Sequence, residues 1–160
     1  MTRPVCPDDA SSLCEIYNHY ILHTPITFEE YPLTPEDMRQ RIVETTEAYP
    51  WFVCEEDGAL LGYSYGRKWR ERAAYRRSVE ATVYLHPSAV GKGLGSILFD
   101  ALLAELRARR FHCVIGGVAL PNPANIALLE KFGLRQVAYF REVGNKFGQW
   151  IDVGYWQLLL

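Results

Sequence analysis

Three groups of residues could do chemistry. The first is the stretch Thr82-Val83-Tyr84-Leu85-His86-Pro87-Ser88-Ala89-Val90-Gly91-Lys92-Gly93-Leu94-Gly95-Ser96, where a strand pattern runs into a glycine-rich loop and then an amphipathic helix. The first turn of a helix leaves its backbone N–H groups unpaired and carries positive potential. Glycines at 91, 93 and 95 remove side-chain bulk and allow positive φ. The amides from Gly91 through Leu94 to Ser96 can therefore close around an anion, and Lys92 adds charge. A phosphate or pyrophosphate is the expected ligand. The spacing is not the Walker loop, which ends in Gly-Lys-Ser/Thr. Nor is it the GxGxxG of dinucleotide folds.

The second is Glu80, a lone carboxylate in an otherwise apolar and small-residue strand. On an ideal strand Glu80, Thr82 and Tyr84 share one face. In a partly dry cleft such a carboxylate can take a proton; on a half-exposed sheet it would simply meet solvent. The third is the run Arg67, Lys68, Arg70, Arg72, Arg76 and Arg77. Its usual meaning is a solvated loop, but an arginine fork within it suits a carboxylate. Cys6, Cys14, Cys54 and Cys113 form no CxxC pair. His19 and His23 could share a helix face, but they lack a third ligand at matching spacing. No metal is expected.

The elements that must position these groups alternate between the two hydrophobic periods. Asp8 or Asp9 can cap a helix with the stripe Ala10, Leu13, Cys14, Tyr17 and Ile21. Thr34-Pro35-Glu36-Asp37 is a strong helix start, with Met38, Ile42 and Tyr49 along the helix and Pro50 as its stop. Trp51–Glu55 and Leu60–Gly66 read as a hairpin across Asp57-Gly58, and Ser78–Leu85 as another strand. Leu94, Ile97, Leu98, Ala101, Leu102 and Leu106 form a helical stripe. A strand over 112–120, a short helix from Asn122-Pro123 to Gly133, and strands over 137–141 and 150–158 complete the order βααβββαβαββ. The hairpins make part of the sheet antiparallel, and the helix-linked strands allow parallel pairing.

Composition sets the outer bounds. At 160 residues a single domain, 1–160, is expected, large enough to bury roughly 70% of the unfolded surface. The 49% hydrophobic and 22% charged shares are those of a globular protein. A net charge of −2 argues against nucleic acid as a general partner. No apolar run approaches membrane-spanning length, and the N-terminus lacks a signal core, so a cytoplasmic protein with reduced thiols is expected.

Together VYLHP, GKGLGS, the long helix after them, and Asn122 followed by Leu128 and Gly133 resemble the GNAT superfamily of acetyl-CoA-dependent N-acetyltransferases. The resemblance covers nearly the whole chain. YPWFV, KWRERAAYRRSVEATVYLHP and GNKFGQWIDVGYWQ are similar to its phosphinothricin and methionine sulfoximine acetyltransferase branch.

The resemblance implies an α/β (α+β) fold: one mixed, largely antiparallel sheet of about six to seven strands with helices on both faces. It implies transfer of the acetyl group of acetyl-CoA to the α-amino group of a small amino-acid-like substrate, by a homodimer. A GNAT acting on another small amine is the alternative within enzymes; a catalytically silent acyl-CoA-binding module is the alternative outside them. Backbone groups of Val83, Tyr84 and Leu85 would pair with the pantetheine arm. The loop Gly91, Lys92, Gly93, Leu94, Gly95 and Ser96 would hold the pyrophosphate, and Asn122 would contact the arm. Glu80 matches the branch's glutamate and would be the base. Arg72, with Arg70 beside it, would meet a substrate carboxylate. Phe28, Tyr75 and Thr82 would border the pocket. Lys146 and Trp150 belong to the C-terminal motif and face either substrate or a dimer partner. Two positions depart from the pattern: Val90, where Arg or Gln is usual, and Leu129, where a proton-donating Tyr or His is usual and leucine cannot serve.

Overall fold

The computed structural model describes residues 1–160. In chain order the elements are β1 (Thr2–Pro4), α1 (Ala10–His23), α2 (Pro35–Thr46), β2 (Trp51–Glu56), β3 (Ala59–Lys68), β4 (Ser78–Leu85), α3 (Leu94–Ala108), β5 (Cys113–Ala119), α4 (Pro123–Lys131), β6 (Arg135–Lys146) and β7 (Gln149–Leu159). They build one seven-stranded sheet in the order β1-β2-β3-β4-β5-β7-β6. Every neighbouring pair is antiparallel except β4 and β5. The mixed, largely antiparallel sheet with helices that the resemblance implies is thus what the chain adopts. No helix is long and apolar enough to cross a membrane.

The alternation of β4 sorts its residues between two cores. Tyr84 faces α1 and α2, packed with Leu13, Ile16, Met38, Trp51 and Tyr63. Val79 and Ala81 face α3 and α4, packed with Phe99, Leu102, Val114 and Leu129. Helices therefore cover both faces of the sheet, because each face carries an apolar set that must leave water.

Several local expectations are corrected. Ile97 is 52% exposed, while Phe99 and Leu103 are fully buried. α3 lies across the sheet, so its buried arc is wider and rotated from the expected stripe. Tyr49 lies beyond the end of α2, which stops at Thr46, and packs on Phe111 instead. β6 continues to Lys146, past the expected end at 141, because bulges between Gln136 and Ala138 and between Phe140 and Gly144 break its two-residue period. Asp9 occupies the N-cap of α1 without capping it through its side chain. Its carboxylate instead accepts from Arg3 Nη1 and Nη2 at 2.9 and 2.8 Å and from the Cys6 N–H at 2.8 Å. Arg3 also reaches Glu55 Oε2 at 2.9 Å, so this buried carboxylate helps pin β1 and β2 to the start of α1.

Hydrogen bonding from Arg3, opposed by burial and aided by Cys6, holds the Asp9 carboxyl below its usual range. The stabilisation is in place above the ordinary carboxylate pKa, near ~4, and is lost as pH falls through the lowered value. Asp9→Asn should cost about 1.5–3 kcal/mol at pH 7. In urea unfolding, the gap from wild type should narrow toward pH ~3 as Asp9 protonates; a gap that does not change with pH would contradict this.

Candidate active site

The parallel pairing of β4 with β5 is short: Ser78 with Cys113, Val79 with Val114 and Glu80 with Ile115. Beyond Glu80 the strands part. Val83, Tyr84 and Leu85 pair only with β3, leaving their other edge open. A narrow slot of about 40 Å³ lies in the gap, bordered by Ala81, Val83, Gly116, Asn122, Asn125 and Leu129. It adjoins a larger cleft of about 760 Å³ on the α1–α2 face. Ile26, Thr82, Tyr84, Gly117 and Ala119 border both.

At the far end of β4 the glycine loop has the expected form. Gly91 and Gly93 have φ of +82° and +80°, and a Cβ added at either would meet nothing within 4 Å. Glycine is needed there for backbone conformation, and the space beside it is open. No N–H from Gly91 to Gly95 donates to a backbone acceptor, while that of Ser96 turns back to Gly93 O at 3.1 Å. Gly93 is the N-cap of the fifteen-residue α3, so these amides sit at its positive end. Lys131 Nζ donates to Ser96 Oγ at 2.9 Å and brings a second cation to the first turn of α3. An acyl donor carrying a pyrophosphate and an amide-bearing arm fits this arrangement of amides, cations and open strand edge. Asn122, at the border of the slot, uses its Oδ1 to cap α4, accepting from Asn125 N at 3.2 Å, so its Nδ2 is not engaged in the cap. The Leu85 carbonyl is already engaged by the Tyr20 hydroxyl at 2.6 Å. Val90 is exposed, and Leu129 is buried against Gly116, contributing only hydrocarbon to the slot.

The larger cleft holds two ion pairs. Glu80, its side chain 17% exposed, accepts from Arg67 Nη2 at 2.9 Å and Nε at 3.1 Å. The two face each other in the β3–β4 register. Gly117 lets Glu80 and Tyr155 close over β5: a Cβ there would lie 3.4 Å from Glu80 Oε1 and 3.1 Å from the Tyr155 ring. Desolvation is the largest influence on Arg67 and works against its charge, but hydrogen bonding to Glu80 and the attraction of that carboxylate together hold the guanidinium pKa above its ordinary value. Opposite, Arg41 pairs with both oxygens of Glu29, Nη1 to Oε2 at 2.9 Å. Burial raises the Glu29 carboxyl, but hydrogen bonds from Arg41 and Tyr17 leave it below its ordinary range. Burial also lifts the phenols of Tyr17, Tyr65 and Tyr84, so they stay neutral near pH 7.

Of the residues expected from sequence, Glu80, Thr82 and Phe28 line this cleft. Arg70, Arg72 and Tyr75 do not. They lie exposed where the chain from Trp69 to Arg77 runs outside the sheet through a 3-10 turn at Ala73–Tyr75, with Arg70 stacked 4.9 Å from the Trp69 ring. Lys146 is 2% exposed, and its Nζ is tied to the carbonyls of Thr24 and Thr27 at 2.8 and 2.7 Å. It has turned into the fold rather than toward a ligand. Sequence reasoning missed Arg67, Arg41 and Glu29 as cleft residues. Arg67 carried a usable signal, since it stands at the strand end of the basic run; its partner depended on a register set across the nine-residue connection 69–77. Arg41 and Glu29 showed none, lying on a helix and an irregular loop.

Gly93→Val should weaken coenzyme A binding by about tenfold or more, a loss of roughly 1.4 kcal/mol, because valine resists φ of +80° and closes the open space. Calorimetric titration of the folded variant checks it; an unchanged affinity would remove the loop from the binding site.

The acetyltransferase (GNAT) family pattern matches residues 13–134. Over 159 residues the chain is 40% identical to phosphinothricin N-acetyltransferase of Streptomyces coelicolor, covering 97% of this chain and 93% of that protein. It is 36% identical over 154 residues to L-methionine sulfoximine/L-methionine sulfone acetyltransferase of Salmonella typhimurium, covering 95% and 90%. The solved phosphinothricin acetyltransferase of Sinorhizobium meliloti in complex with AcCoA matches with a TM-score of 0.96 at 34% identity, covering 100% of this chain and 88% of that one. Likeness of this extent, in a chain whose parted strands leave a place for an acyl donor, makes the protein an acetyltransferase: it belongs to the GNAT family.

Proposed function

We propose that the enzyme moves the acetyl group of acetyl-CoA directly to the α-amino group of a small amino-acid-like acceptor, of the phosphinothricin or methionine sulfoximine type. The observation that carries this reading is the Arg67–Glu80 pair in the cleft. A guanidinium and a carboxylate side by side complement the carboxylate and ammonium borne by one α-carbon. Arg67 uses Nε and Nη2 on Glu80, so Nη1 is left for an acceptor oxygen. Each Glu80 oxygen retains a lone pair for the acceptor's ammonium, which is mostly protonated at pH 7 and must lose a proton before it can attack. In this reading Arg67 takes the role expected of Arg72. The names of the relatives support the acceptor class.

Bound acetyl-CoA would supply an activated thioester. The amides of Gly91 to Gly95, with Lys92, hold its pyrophosphate; the open edge at Val83 and Tyr84 receives its amide arm; Asn122 Nδ2 adds a side-chain donor. Glu80 takes the ammonium proton, directly or through a water. Leu129 has no proton to give, so the thiolate departs without help from α4. Glu80→Gln should lower kcat by about 10²–10⁴-fold, read as thiol release with an amino-acid acceptor. Arg67→Lys should raise the acceptor KM while leaving that of acetyl-CoA nearly unchanged. A Gln variant with wild-type kcat near neutral pH would falsify the role of Glu80.

A homodimer in a reducing cytoplasm is part of the same reading. β6 is an edge strand, and Val137, Tyr139, Phe140, Phe147 and Trp150 of the β6–β7 hairpin are exposed, Trp150 at 67%. An edge this apolar calls for a cover. Cys6, Cys14, Cys54 and Cys113 are free thiols. Sedimentation at micromolar concentration should give twice the 18.3 kDa chain mass, with or without reductant; a species of one chain's mass contradicts the dimer.

A further inference from the structure

Lys146 is a buried ammonium that acetyl transfer does not use. We propose that it is a positioning residue: by fixing two carbonyls of the loop after α1 it sets the Phe28 wall of the cleft and so determines which acceptor side chains fit. This rests on the reading of the cleft as an amino-acid site.

The loop between α1 and α2 has no regular structure from Thr24 to Thr34, so no ladder holds it in place. Yet Ile26, Thr27, Phe28 and Glu29 form one side of the cleft. Most of its ties come from the nearby helices. The Tyr17 hydroxyl meets Thr27 Oγ1 at 2.8 Å, Asn18 Oδ1 accepts from Leu33 N at 2.8 Å, and Arg41 holds Glu29. Lys146 ties it to the far end of the chain, donating from β6 to Thr24 O and Thr27 O on either side of the loop's first bend. Its charge rests on carbonyl dipoles; Glu29 and Glu30 act on it only at longer range, and burial pulls its pKa below the ordinary lysine value. A methionine would fill the same space without that desolvation, so a role that hydrocarbon cannot perform is indicated.

The strand that carries Lys146 is shaped to meet this loop. Residues 141–143 bulge opposite the single residue Asp152, whose Oδ1 accepts from the Glu142 N–H at 2.7 Å. The bulge brings Val143 to the cleft and Gly144 beneath Phe28. A Cβ added at Gly144 would lie 2.4 Å from both Cζ and Cε2 of the Phe28 ring. Gly144 has no positive φ, so its lack of a side chain serves the ring and not the backbone. Lys146 holds the loop's backbone and Gly144 seats its aromatic side chain, two residues apart on one strand.

The test compares kcat/KM for L-methionine sulfone with that for the bulkier L-phenylalanine in wild type, Lys146→Met and Gly144→Ala. A ratio of two acceptors cancels any loss of active enzyme, which a merely stabilising lysine would cause. Lys146→Met should move the ratio toward phenylalanine by about tenfold, the scale on which pocket contacts discriminate side chains. The KM for acetyl-CoA should change by less than the ratio does, since Ile26 is the one residue of the loop that borders the slot and Phe28 does not. Gly144→Ala should also shift the ratio, by displacing the Phe28 ring without touching the lysine. An unchanged ratio in folded Lys146→Met overturns the proposal; if that variant does not fold, an unchanged ratio in Gly144→Ala overturns it. A wild type that acetylates neither acceptor refutes the amino-acid reading itself, and the proposal with it.

Discussion

The parting of β4 from β5 is the constraint on which the rest of the molecule depends. Three residue pairs hold the strands together, and then backbone groups that a continuous sheet would satisfy are left open. Water or an extended amide-bearing ligand must complete them. The gap also joins the two faces of the sheet. The slot runs among residues of the α3–α4 side, the larger cleft lies on the α1–α2 side, and Thr82 and Tyr84 border both. In the proposed reading two substrates meet at β4, each held by a different layer of the fold. β5 pairs with β7 along its whole length, Cys113 to Ala119, so after Ile115 it stays with β7 over four more residue pairs while β4 diverges.

Charge in the acceptor cleft is balanced within the protein. Glu80 with Arg67 and Glu29 with Arg41 bring two anions and two cations among buried phenols. An unpaired carboxylate in such surroundings would be expensive to hold. A bidentate partner lowers that cost while leaving lone pairs and one guanidinium nitrogen for a ligand. The binding loop is built on the opposite principle. Its unpaired amides lie beside open space at a helix N-terminus, where an anion must come from outside.

Local signals carried much of the fold. The Thr34 cap with Asp37 three residues on forms a capping box. Asp57-Gly58 turns the β2–β3 hairpin with both residues at positive φ, and the glycines at 91 and 93 adopt the conformation their spacing suggests. Ile97, Tyr49 and the end of β6 depart from the hydrophobic period for a shared reason: packing direction, helix length and bulges decide them.

By itself the sequence determined the order of elements, the anion-seeking loop at 91–96 and the placement of Glu80 on one face with Thr82 and Tyr84, because each follows from short-range sterics and from the two-residue period of a strand. Only the tertiary structure decided which basic residue meets Glu80. Arg67 does so by cross-strand register, while Arg70 and Arg72, a few residues on, leave the sheet. It also turned Lys146 inward onto Thr24 and Thr27, 122 and 119 residues away along the chain. Contacts of that separation depend on how layers pack and where a bulge falls, and no local pattern encodes either.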